Sequence, residues 1–119
     1  MAYNMQLPIY DDFILDESMD ENFYPIDANV KIKVTVPNYA TNPDISQGFV
    51  VYFSQMGEGN ATMVPQKPDI IQSLGGVLRT DGYGGKCEII LLQKAPGPGL
   101  PNIWAWAGNT GGPATITNK

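Results

Sequence analysis

The sequence predicts an all-β protein, an immunoglobulin-like antiparallel β-sandwich of about seven short strands that follows an extended N-terminal arm. The length of 119 residues is that of one domain. Apolar segments with period-two alternation recur at a spacing of about ten residues, and no helical period is found between them. Thirteen Gly and ten Pro separate these segments, as turn residues do between short strands.

The first half of the body contains three predicted strands and a long connection. Residues 30–36 alternate apolar and polar side chains up to Pro37, which indicates a half-buried strand. Residues 49–54 form a β-prone apolar run, and residues 61–64 form a short strand that ends at a proline. We expect residues 65–76, with two prolines and two glycines, to be a long connection.

The second half of the body contains the strongest hairpin signal. Residues 77–80 and 86–93 flank a Gly-rich turn at 81–85, in which we expect a glycine at positive φ. Residues 102–107 and 114–117 are the last two predicted strands. The pattern leaves open which face of the 49–53 strand points inward: the face of Val51 and Phe53 or the face of Val50 and Tyr52. The expected core includes Val34, Val51, Phe53, Ile89, Leu91 and one side of the 103–107 strand.

Five stretches together resemble a bacterial immunoglobulin-like domain of the invasin and intimin type. They are VKIKVTV (30–36), ISQGFVVYFSQ (45–55), GEGNATMVP (57–65), RTDGYGGKCEIILLQKAPG (79–97) and NIWAWAG (102–108). The resemblance covers about residues 30–119 and implies an immunoglobulin-like sandwich. It would favour a module of a longer, exported bacterial adhesin.

Charge divides the chain into two predicted parts. Residues 1–27 contain seven acids and no Lys or Arg, giving −7, whereas residues 28–119 contain five acids and seven bases, giving +2. We therefore expect an acidic arm (1–27) and a sandwich domain (28–119) that folds without it. The arm also contains apolar and aromatic residues suited to anchoring on another protein subunit. The predicted partner-binding residues are Tyr10, Phe13, Ile14, Leu15, Phe23 and Tyr24.

Catalytic, cofactor and metal sites are not expected. The chain has no His and a single cysteine, Cys87, which we expect to be a small buried apolar residue. It lacks GxSxG, phosphate-loop and GxGxxG patterns. Asp16, Glu17, Asp20 and Glu21 do not follow a calcium-loop pattern and are interpreted as solvated charges.

Trp104 and Trp106 lie two residues apart and therefore share one face of their strand. Two orientations remain open for them. Facing inward, they belong to the core. Facing outward, they form an exposed aromatic face that could stack on a sugar ring or on a partner protein.

These observations favour a protein-binding role. No stretch supplies the clustered basic face that nucleic acid needs, and no apolar run is long enough for membrane insertion. No export signal is recognised at the N-terminus. We expect a structural or decorating subunit of a larger assembly, on the virion surface (capsid or tail) of a bacteriophage. The alternatives are an adhesin module on the bacterial cell surface and a small carbohydrate-binding protein.

Overall fold

The computed structural model describes residues 4–73, 76, 78–80 and 83–108, and within them the regular secondary structure is mostly β-strand, which holds just under half of the residues. This confirms the all-β class. A short 3-10 helix, Glu17–Met19, lies between the second and third strands. The strands are β1 (Asn4–Met5), β2 (Phe13–Ile14), β3 (Asn22–Ile26), β4 (Ile32–Val36), β5 (Val50–Gln55), β6 (Ala61–Pro65), β7 (Ile70–Ser73), β8 (Lys86–Gln93) and β9 (Ile103–Gly108).

The strands form two sheets, and the chain alternates between them. Sheet A has the order β1-β3-β5-β8-β9-β7, and sheet B has the order β2-β4-β6. From β1 to β6 each strand is followed by one in the other sheet. Residues 4–14, 22–36 and 50–65 are therefore three successive turns of a two-sheet coil. We call residues 4–14 the first turn.

Strand pairing differs from the antiparallel expectation. Among the described strands, only β8 pairs in the antiparallel sense, with β5 and with β9. The other five pairs, β1·β3, β2·β4, β3·β5, β4·β6 and β7·β9, are parallel. The physical reason is the coil, because a chain that crosses to the second sheet and returns enters the first sheet again in the same direction. The antiparallel prediction was therefore wrong for most of the structure.

The connections that carry the chain from sheet A to sheet B stack on one another. Residues 27–31 link β3 to β4, and residues 56–60 link β5 to β6. The Gly59 amide donates to the Ala28 carbonyl oxygen at 2.8 Å. A Cβ atom on Gly59 would lie 1.9 Å from the Val30 carbonyl oxygen. Only glycine allows the two connections to approach this closely.

The predicted core residues are confirmed. Val34, Val51, Phe53, Ile89 and Leu91 are each at most 1% exposed and belong to one buried cluster to which both sheets contribute. Their burial also settles the parity of β5.

Two predictions for the second half of the chain were wrong. Residues 65–76 are not only a connection, because they include β7, which pairs with β9 at the edge of sheet A. Residues 78–80 do not form a hairpin with β8. Instead Arg79 pairs with Thr62 of β6 in sheet B, so the chain changes sheets before β8 begins.

The turn before β8 contains the expected glycine at positive φ, since Gly84 has a φ of 75°. Residues 77, 81 and 82 of the predicted hairpin lie outside the described residues. The predicted strand at 114–117 lies outside them as well.

Candidate functional site

The N-terminal segment, the predicted docking site, is built into both sheets. Strand β3 lies between β1 and β5, with Phe23 opposite Tyr52 and Ile26 opposite Gln55. Ile26 is fully buried. Residues 4–27 thus pack on the rest of their own chain, and β1 and β2 form the outer edges of sheets A and B.

Four of the six predicted partner-binding residues are buried or half-buried against the rest of their own chain. Leu15 and Phe23 are 1% and 8% exposed. Phe13 and Tyr24 are half-buried, and their ring centroids lie 6.2 and 6.3 Å from that of Phe53. These four side chains contribute to the fold and are not free to anchor a partner in this conformation.

The other two predicted residues remain on the surface. Tyr10 is 59% exposed and Ile14 is 44% exposed. Sequence reasoning missed two neighbours, Met5 and Leu7, which are 61% and 86% exposed. Their alternation with polar residues up to Pro8 was the available signal. We call the exposed residues of this segment the first-turn surface. It consists of the apolar Met5, Leu7, Tyr10 and Ile14 and the acids Asp11 and Asp12.

Several acids of this region hold the backbone of neighbouring turns. Asp12 Oδ1 accepts a hydrogen bond from the Lys33 amide at 2.7 Å, and Asp20 Oδ1 accepts one from the Val50 amide at 3.0 Å. Asp16 caps the 3-10 helix through the Ser18 amide. Within the described residues no three potential ligand side chains gather into a metal site. Asp12 therefore fixes the first turn onto β4, and Asp20 fixes the segment before β3 onto β5.

Trp104 and Trp106 face the core, at 0% and 5% exposure. The exposed aromatic face, left open by the sequence, is therefore contradicted. The Phe49 ring packs edge-on against the Trp104 ring, with 6.1 Å between the ring centroids. Indoles buried in this way cannot stack on a sugar, so they give no support to carbohydrate binding.

A buried hydrogen-bond network lies around Trp104. The sequence did not predict this network. Asp69 Oδ2 accepts from the Trp104 Nε1 group at 2.9 Å and from Asn102 Nδ2 at 3.0 Å. Asp69 Oδ1 accepts from the Asn102 amide at 3.0 Å, and Asn102 Oδ1 accepts from the Ala95 amide. The network ties the segment before β7 to the start of β9. An isolated Asp between proline and isoleucine gave no sign of it.

Cys87 is buried at 4% exposure, as its apolar surroundings predicted. No helix among the described residues has the length and apolar character needed to cross a membrane.

No protein-family model, curated protein or solved structure matches this chain. The resemblance to invasin and intimin domains thus stays a prediction from the sequence.

Proposed function

We propose that this protein is a non-enzymatic structural or decorating subunit of a larger protein assembly, at the surface of a bacteriophage particle. The observation that carries the proposal is the first-turn surface, where large apolar side chains are exposed beside carboxylates. Leu7, at 86% exposure, is the clearest case.

The composition of this surface suits a protein partner. Aromatic and aliphatic side chains supply the apolar contacts that hold an interface together, and charges at the rim steer the partners and fix their orientation. Tyr10 stands directly before Asp11 and Asp12, and Ile14 follows two residues later. Apolar anchors and carboxylates are therefore interleaved over a few residues.

The scaffold supports the same proposal. Hydrogen bonds from the Gln6 and Ile9 amides to the Phe23 and Pro25 carbonyl oxygens, each 2.8 Å long, hold the first turn against β3. A surface held in this way loses little conformational entropy when a partner binds.

We also propose that sheets A and B face each other as the layers of a sandwich. The support is the single buried cluster, which joins Val34 and Met63 of sheet B to Phe53, Ile89 and Trp104 of sheet A. Two sheets that share one core in this way are the usual construction of a β-sandwich.

The proposed assembly role is tested by fractionating lysates of the source organism on a density gradient and detecting this chain by mass spectrometry. We expect the chain in particle fractions far heavier than a 12.9 kDa monomer, together with capsid or tail proteins. Recovery only with cell envelopes would favour the adhesin alternative. Recovery only as a free monomer would contradict an assembly role.

A further inference from the structure

A basic groove lies on sheet B near the last strand of the coil. Lys31 and Arg79 are both exposed, and the register of β4, β6 and residue 79 aligns Lys33, Thr62 and Arg79 across the sheet. The groove has a volume of about 370 Å³, and no acid is among its described lining residues. Its lining consists of Lys31, Asn60, Thr62, Gly76, Leu78 and Arg79.

The acids of the first turn lie at the opposite edge of the same sheet. Strand β2 is one edge of sheet B. At the other edge, residues 78–80 lie beside β6, where Met63 N donates to Leu78 O and Thr80 N donates to Ala61 O. Three strand spacings of about 4.8 Å separate these edges by about 14 Å.

Acids and cations also lie at the same end of the strands. The hydrogen bond from the Lys33 amide to Asp12 places Asp11 and Asp12 beside the start of β4. Lys31 precedes that strand directly. Translation of one molecule along the sheet would therefore bring its Asp11 and Asp12 to the Arg79 side of the next.

We propose that the basic groove receives the first turn of a second copy of this chain, giving a head-to-tail contact between molecules. The proposal rests on the assembly role above and names the partner. The −7 charge of residues 1–27 and the +2 charge of residues 28–119 are the complementarity that supports it. Such a contact is heterologous, so it extends to rings or filaments rather than stopping at a dimer.

The experiment is sedimentation velocity on the full chain and on two charge-reversal variants, Asp11→Lys and Lys31→Glu/Arg79→Glu. Each variant removes one side of the contact and keeps the other. We expect concentration-dependent oligomers of the wild type at low salt, and more than about tenfold weaker association of either variant alone. Association should also weaken in about 1 M NaCl, where the screening length is about 3 Å.

Mixing the two variants gives the decisive result. The intact groove of Asp11→Lys can accept the intact first turn of Lys31→Glu/Arg79→Glu, and the reversed charges of the two variants also attract each other, so the mixture should regain the association that each variant alone has lost. Lys67→Glu, an exposed reversal outside the groove, should associate like the wild type. The neutral substitutions Asp11→Asn and Arg79→Gln should also weaken association, each by less than the corresponding charge reversal. They keep the test valid if a reversal variant misfolds.

Two results would overturn the inference: a wild type that stays monomeric at low salt, or oligomers that both reversals leave unchanged. Its failure is distinguishable from failure of the assembly role. A chain found in heavy particles that does not self-associate would refute this contact alone. A chain that self-associates head to tail but is absent from particles would refute the particle role alone.

Discussion

Asp69 illustrates at the scale of one residue how a polar side chain is accommodated in this core. It is 8% exposed, and its two oxygens accept three hydrogen bonds, from the Asn102 amide, Asn102 Nδ2 and Trp104 Nε1. Substitution Asp69→Ala leaves these donors buried without their acceptor. We expect the free energy of unfolding to fall by roughly 3 kcal/mol, measured by urea denaturation.

The matched control for Asp69 is Asp44→Ala. Asp44 is exposed, and a surface substitution of this kind should change stability by less than about 0.5 kcal/mol. Equal stability losses for the two variants would show that the Asp69 network does not stabilise the fold.

The tryptophans show which residue-scale features the sequence could predict. Period two established that Trp104 and Trp106 share a face but not which face, because alternation is unchanged when a strand is turned over. Packing against Phe49 and the hydrogen bond to Asp69 settle the orientation. Both contacts join residues far apart in the chain, so no local pattern reports them.

At the scale of elements, the stacked connections depend on glycine. A Cβ atom on Gly59 would meet the Val30 backbone oxygen at 1.9 Å, and backbone cannot move aside as a flexible side chain can. Gly59→Ala should therefore cost roughly 3 kcal/mol of unfolding free energy or prevent folding. Gly97, whose Cβ would meet nothing within 4 Å, is the control, and Gly97→Ala should melt at nearly the wild-type temperature. A Gly59→Ala variant as stable as that control would contradict the stacking.

The N-terminal segment gives a second prediction for elements. The sequence suggested that residues 28–119 fold alone, but the structure places Leu15 and Ile26 in the core at 1% and 0% exposure. Removing residues 1–27 would also remove β3, the strand that pairs with β5 in sheet A. We expect the truncated chain to lack the near-ultraviolet circular dichroism and cooperative melting of the full chain. A truncated chain with a sharp melting transition would contradict this.

Strand positions were more predictable than strand partners. The β4, β5, β6, β8 and β9 segments carry clear apolar patterns, and their predicted ranges agree with the structure to within about two residues. Strand β3 was not predicted, because acids flank it and Pro25 lies within it. Strand β7 is only four residues long and follows two prolines.

At the scale of the whole molecule, the coil explains why the fold class could be predicted but its topology could not. Alternation of side chains is common to parallel and antiparallel strands, so it carries no information on which strands pair. The alternating path between sheets depends on connections such as residues 56–60, whose glycines look like ordinary turn residues in the sequence. The same reasoning applies to the candidate site: charge pointed to residues 1–27, but only the fold separates buried Phe23 from exposed Leu7.

We infer that the first turn is both part of the fold and the surface that joins an assembly. Amide hydrogen exchange of the full chain, compared between the free state and the heavy particle fraction, tests it most directly. We predict slow exchange of β3 in both states and slower exchange of residues 5–14 in the particle than in the free chain. Rapid exchange of β3 in the free chain, or no change at residues 5–14 on assembly, would contradict the claim.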